Sequence, residues 1–193
     1  MQGLVAVVVG FILILVYLFV FYQGMGLITA GALLTFGIVY LGIFAALSSM
    51  GLFALSLSGL AGVVLTIGMA ADSTILVLER FREELRAGKS VRTASISGSK
   101  HGIMTALDAG VVSLISALGL FFLTTGSARG FGLTLALGVL CSFFTLLMFT
   151  TPAVRLLGRG AVEKNPGFWG VKADMEEAKK PAASAVKGGE QDA

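Results

Sequence analysis

Asp72 is the first charged residue of the chain: residues 1–71 contain no Asp, Glu, Lys, Arg or His. Only apolar or small residues separate it from Glu79. A carboxylate in such a run lies at bilayer depth, where a charge costs about 2.5–3.5 kcal/mol on insertion scales, so groups of this kind face protein or water and carry function. The chemistry open to it is proton transfer. Desolvation favours the neutral acid and an approaching cation or water favours the carboxylate, so helices that alternate the two load and release a proton. The competing reading is a structural carboxylate bonded to a Ser or Thr of a neighbouring helix. Asp108 is a second candidate for the relay, near the expected start of a later apolar run, where capping and the helix macrodipole account for a carboxylate equally well.

Other chemistries find little support. The sequence has no Gly-x-Ser-x-Gly elbow, no His-Glu-x-x-His and no phosphate-cradling glycine loop, and it holds one His and one Cys. We therefore expect no enzyme activity, no catalytic residues, no metal and no cofactor beyond the proton gradient as energy source. Cys141 reads as a packed thiol within an apolar run, His101 as a residue facing solvent or headgroups, and Glu79 with Arg80 as an interface ion pair.

The elements that must position Asp72 follow from composition. The 193 residues are 56% hydrophobic and 13% charged, too apolar for a soluble core. About 20 residues at 1.5 Å each cross a bilayer core of about 30 Å. This ruler yields five spans, 4–22, 27–47, 59–78, 106–123 and 130–149, all helical because lipid-exposed backbone must be satisfied within its own segment. The fold class is thus an all-α membrane protein, a polytopic helical bundle of five transmembrane helices. Asp72 lies roughly 5 Å from the middle of its span.

Lys and Arg collect in the 80–101 connector and after the last span. Both belong on the cytoplasmic side, which puts the N-terminus outside and the C-terminus inside. The net charge of +3 is explained by topology and membrane lipids, and carries no nucleic-acid function. Within the connector, Arg80 and Glu84 stand at i,i+4 spacing, Gly88 ends the third helix, and Ser90 caps a second short helix ended by Gly98. This predicts a bent connector against the headgroups. Residues 159–193 form a polar tail expected to be cytoplasmic and largely disordered. Its Phe168 and Trp169 are either an interfacial contact or a chance pair.

The fifth span carries Gly130, Thr134, Gly138 and Ser142 at four-residue spacing, one face of a helix, where small residues admit another helix closely. With Gly68 and Ser73 on the third span, these are the residues expected to pack near Asp72.

The run Gly59-Leu-Ala-Gly-Val-Val-Leu-Thr-Ile-Gly-Met-Ala-Ala-Asp72, followed by Glu79-Arg-Phe-Arg-Glu-Glu-Leu85, resembles the SecD family, the SecD subunits of the bacterial SecDF protein-export complex. Leu107-Asp108-Ala109, Ser113-Leu114-Ile115 and Gly130-Phe-Gly-Leu-Thr-Leu135 with Gly138, Ser142 and Thr145 are similar to later motifs of the same family. The resemblance covers most of residues 22–158. It implies spans two to six of a resistance-nodulation-division half, in a multi-pass protein of the bacterial plasma (inner) membrane. It further implies a proton-motive-force-driven accessory acting with a SecF-like subunit and the SecYEG translocon on exported preproteins, with Asp72 at the family's proton-relay position and Asp108 at a matched one. Ser73-Thr74 stands where the family carries Ala-Asn, and Gly110 where it carries Asn. The family's first span and large extracytoplasmic domains find no counterpart, so we expect a portion of a longer protein, a subunit of split origin or a shortened version. The competing functions are half of another proton-coupled exporter of lipids or small molecules, and a membrane scaffold that transports nothing.

Overall fold

The computed structural model describes residues 2–50, 57–157, 162–176 and 178, and they form a helical bundle. The first helix, α1, is assigned across Gln2–Ser49, but Gln23 breaks it with φ 46° and ψ −125°. Were it straight, Phe11 and Phe36 would stand about 37 Å apart. Instead both line one side of the fold with Ile14, Leu15, Leu33 and Tyr40, so the two arms double back on each other as a hairpin. Local sequence explains the closeness: a Cβ on Gly26 would lie 2.6 Å from the Leu18 carbonyl oxygen, a contact only glycine allows.

Three long helices complete the bundle: α2 (Leu57–Arg86), α3 (Val91–Leu123) and α4 (Ser127–Thr145). A π-helical turn (Leu146–Thr150) leads from α4 directly into α5 (Thr151–Leu156). Among the described residues four helical segments are long and apolar enough to cross a membrane, and the break at Gln23 divides the first of them into two arms. The protein is therefore an all-α, multi-pass membrane protein, with four to five membrane-length helices among the described residues.

α2 and α3 are antiparallel and nearly touch, because Gly98 and Gly102 put no side chain between them. A Cβ there would stand 2.6 Å from Phe81 Cα and 2.7 Å from Val77 Cα. Gly98 was expected to end a short helix. In fact α3 runs unbroken from its Ser90 cap, whose hydroxyl accepts the Thr93 N–H at 3.3 Å, to Leu123. Packing against α2 outweighs glycine's low helix propensity, so the connector is a tight turn rather than a bent segment. That turn is a Schellman motif: the Gly88 N–H bonds the Leu85 carbonyl at 3.0 Å and the Lys89 N–H the Glu84 carbonyl at 3.3 Å, with Gly88 at φ 84°.

α4 lies beside α2 in parallel. Thr134 sits on Gly62 and Gly138 on Thr66. The second arm of α1 covers both, with the Tyr40 hydroxyl donating to the Thr134 carbonyl at 3.2 Å. At the connector end, Val77, Leu78, Phe81 and Leu85 bury themselves against Leu146, Val154, Val162 and Val171.

Val162 and Val171 belong to the tail expected to be disordered, so residues 162–176 are a correction to that expectation. The segment docks because it brings apolar groups as well as charge. The Phe168 carbonyl accepts the Gly24 N–H at 3.0 Å, Trp169 packs on the core, and buried Asp174 meets the Arg82 Nε at 2.8 Å and the Arg86 Nε at 2.5 Å. The tail beyond 178, and residue 177, lie outside the described residues.

Candidate functional site

The register of α2 against α3 decides what surrounds Asp72. Val77 opposes Gly102 and Phe81 opposes Gly98, so in this antiparallel pair Asp72 is level with residues 107 and 108. The two carboxylates, 36 positions apart in sequence, therefore occupy the same depth on adjacent helices. For Asp108 this is a correction: α3 begins at Val91, so Asp108 lies nearly five turns inside the helix rather than at its N-terminus. Capping and the macrodipole act within the first turn and give no account of it.

Both carboxylates also lie off the packed faces of their helices. Thr74 faces the π-helical turn, its hydroxyl 3.4 Å from that of Thr150, and Gly110 faces Phe143 of α4. Asp72 and Asp108 each precede such a residue by two positions, or about 200° around a helix, so each points away from α4. Both are exposed, and neither has a hydrogen-bond or ion-pair partner among the described residues. Around them stand exposed Leu65, Met104, Val112 and Ile115. This is a lipid-type surface carrying two acids, and in hydrocarbon it demands a polar partner.

The small residues expected near Asp72 are distributed otherwise. Thr134 and Gly138 pack on the α4-facing side of α2, Thr134 also bonding back to the Gly130 carbonyl at 3.2 Å, and Ser142 is buried on the same helix. They space α2 from α4, on a packed face of α2 that exposed Asp72 does not share. Gly68 meets nothing within 4 Å of its would-be Cβ, and the Ser73 hydroxyl donates to the Met69 carbonyl at 2.9 Å in its own helix. Cys141 is buried.

One turn beyond the apolar zone, the α2–α3 corner carries a polar cluster that sequence reasoning missed. Glu84 accepts from the Ser97 hydroxyl at 2.9 Å, lies 3.1 Å from His101 Nδ1, and is paired with the Lys89 ammonium. The Lys89 hydrogen bond first, then those of Ser97 and His101, hold its carboxyl below the usual carboxylate range against the opposing pull of burial. The expected Arg80–Glu84 pair is absent because Arg80 bonds Glu83 at 2.7 Å, and Glu79 pairs with Arg82 at 3.4 Å rather than with Arg80. An i,i+3 partner was within reach in each case, and Glu84 turned to α3. The signal available was Gly88, whose turn folds residues 13 and 17 positions after Glu84 back onto it. The described residues hold no group of three or more His, Cys, Asp or Glu able to bind a metal.

Comparison with known proteins agrees with this architecture. Residues 1–178 match the MMPL family. The chain is 36% identical over 182 residues to protein translocase subunit SecD of Acidaminococcus fermentans, covering 94% of this chain and 43% of that one. It is 38% identical to SecD of Synechocystis over 167 residues, 86% of this chain and 34% of the relative. The crystal structure of SecDF from Thermus thermophilus, described as a translocon-associated membrane protein, superposes with a TM-score of 0.72 at 37% identity, over 84% of this chain and 22% of that one. The chain thus spans less than half the length of these relatives. With a family match along nearly its whole length and SecD relatives sharing its helices, the chain belongs to the MMPL family, and its likeness there is to the SecD subunit of the protein translocase.

Proposed function

We propose that this chain is the membrane-embedded part of an accessory to protein export, in which Asp72 takes up and releases protons driven by the proton motive force, with Asp108 as its neighbour in the relay. The observation that carries the reading is the pair of carboxylates at one depth on an outward, otherwise apolar face. A single buried acid is explained by packing. Two exposed acids at one depth, with no partner among the described residues, are explained by a second polar element that covers them, and the chemistry expected of it is cationic or hydroxyl-bearing, from a SecF-like subunit. A proton crossing 100 mV releases about 2.3 kcal/mol, enough to shift a two-state helix arrangement by tens of fold. The translocon and an exported preprotein complete the assembly, and the Lys- and Arg-rich connector and tail lie on the cytoplasmic side.

The test is export of a secreted reporter in cells lacking their own SecD, supplied with this chain joined to the rest of its polypeptide and partner. Asp72→Asn is expected to abolish the export gain at matched membrane levels, and Asp72→Glu to retain part of it. Export by Asp72→Asn equal to that of the parent would sink the relay and leave a scaffold.

A further inference from the structure

We infer that His101, oriented by Glu84, is the group through which a proton from the Asp72–Asp108 pair passes to water at the connector end of the bundle. The inference rests on the proton-transfer reading above and adds to it an exit residue. Three observations support it.

The first is alignment. His101, Thr105 and Asp108 stand at i, i+4 and i+7 on α3, one stripe of one helix, and all three are exposed. The rise from His101 to Asp108 is about 10 Å. Thr105 lies between them, its hydroxyl bonded to the His101 carbonyl at 3.0 Å. The second is tautomer. Glu84 is held ionised by Lys89 and Ser97, and an ionised carboxylate only accepts, so the His101 Nδ1 facing it at 3.1 Å carries the hydrogen. That leaves the Nε2 lone pair as the acceptor, on a ring whose side chain is 61% exposed. The third is chemistry: imidazole is the side-chain type that ordinarily changes charge between pH 5 and 8, whereas the remaining charged groups at this corner, Lys89, Lys100, Glu84 and the Arg80–Glu83 pair, are not of that type.

The step balances simply. The carboxylic acid at Asp108 gives up its proton and becomes a carboxylate; water and the Thr105 hydroxyl bridge the gap; Nε2 accepts the proton to give an imidazolium beside the Glu84 carboxylate. Release of that proton to bulk water restores the neutral ring.

The experiment uses sealed membrane vesicles containing the complete translocase, and records proton-motive-force-driven export against the pH on the connector side. His101→Gln, at parental membrane levels, is expected to lower export at least about tenfold and to flatten its dependence on that pH. His101→Arg keeps a cation against Glu84 but cannot release its proton, so it is expected to fail equally. If His101→Arg restores export, the residue is a structural cation and the inference is overturned. If either variant keeps the parental rate and pH profile while Asp72→Asn abolishes export, the proton leaves elsewhere and only the exit assignment falls. If Asp72→Asn is itself without effect, the relay and its exit fall together.

Discussion

α2 presents one face to α4 and another away from it, and the two satisfy their polar groups by different rules. Toward α4, Thr66 and Thr74 bond to the carbonyls of Val63 and Ala70 in their own helix, and Thr134 to those of Gly130 and Phe131 in its own. Glycines at 62 and 138 let these hydroxyl-bearing turns meet at contact distance. The face is closed: it needs nothing from outside and contributes packing. Away from α4, Asp72 and its neighbour Asp108 stand exposed among apolar side chains, with no partner among the described residues. That face is open, and its stability in a bilayer depends on what covers it. One helix thus separates the residues that build the bundle from those left available for work.

The contrast is broken most severely where packing is closed, at the α2–α3 contact. Gly102→Leu forces a side chain into the Val77 backbone, where a Cβ would already lie at 2.7 Å. It is expected to cost about 3 kcal/mol or more and to lower the folded yield, read by unfolding in detergent micelles. Next comes the docked tail. Asp174→Ala leaves Arg82 and Arg86 facing a buried gap, and with Arg86 partly exposed to screening the expected loss is about 2 kcal/mol, seen as protease cleavage between residues 162 and 176. Tyr40→Phe removes the hydroxyl that reaches the Thr134 carbonyl, and is expected to cost about 0.6 kcal/mol by the same unfolding measurement.

On the open side the expected stability effects are smallest. Asp72→Leu and Asp108→Leu in the isolated chain are expected to unfold within about 0.5 kcal/mol of the parent, because both side chains are exposed. A large loss from either would mean that this face is closed after all, and would erase the distinction. A pH titration sharpens it further. Glu84 has its carboxyl lowered from 4.5, so its contribution is complete above that value and is lost as pH falls through the lower folded value. Amide exchange at the α2–α3 turn is expected to rise over that acid range, and Glu84→Gln to remove the dependence.

Much of this was legible from residue order. An uncharged run of 71 residues, apolar stretches of helix-crossing length and one acid inside the third of them announce a membrane bundle and its most informative residue. Hydrophobicity is a local quantity, so spans are read locally, and Gly88 and Ser90 mark their turn through backbone and side-chain chemistry that acts within four residues. What sequence could not supply is register and rotation. Glycines 98 and 102 look like helix weakeners until α2 is seen lying against them, and Asp108 looks like a cap until α3 is seen to begin at Val91. The small-residue row of α4 was assigned to the surroundings of Asp72, yet it packs on a buried face of α2 that Asp72 does not share. The placement of Asp108 level with Asp72, of His101 against Glu84 and of Asp174 between two arginines each relates residues 17 to 92 positions apart. Such pairings are set by how helices slide and turn against one another, a balance of many close contacts that no stretch of the chain holds by itself.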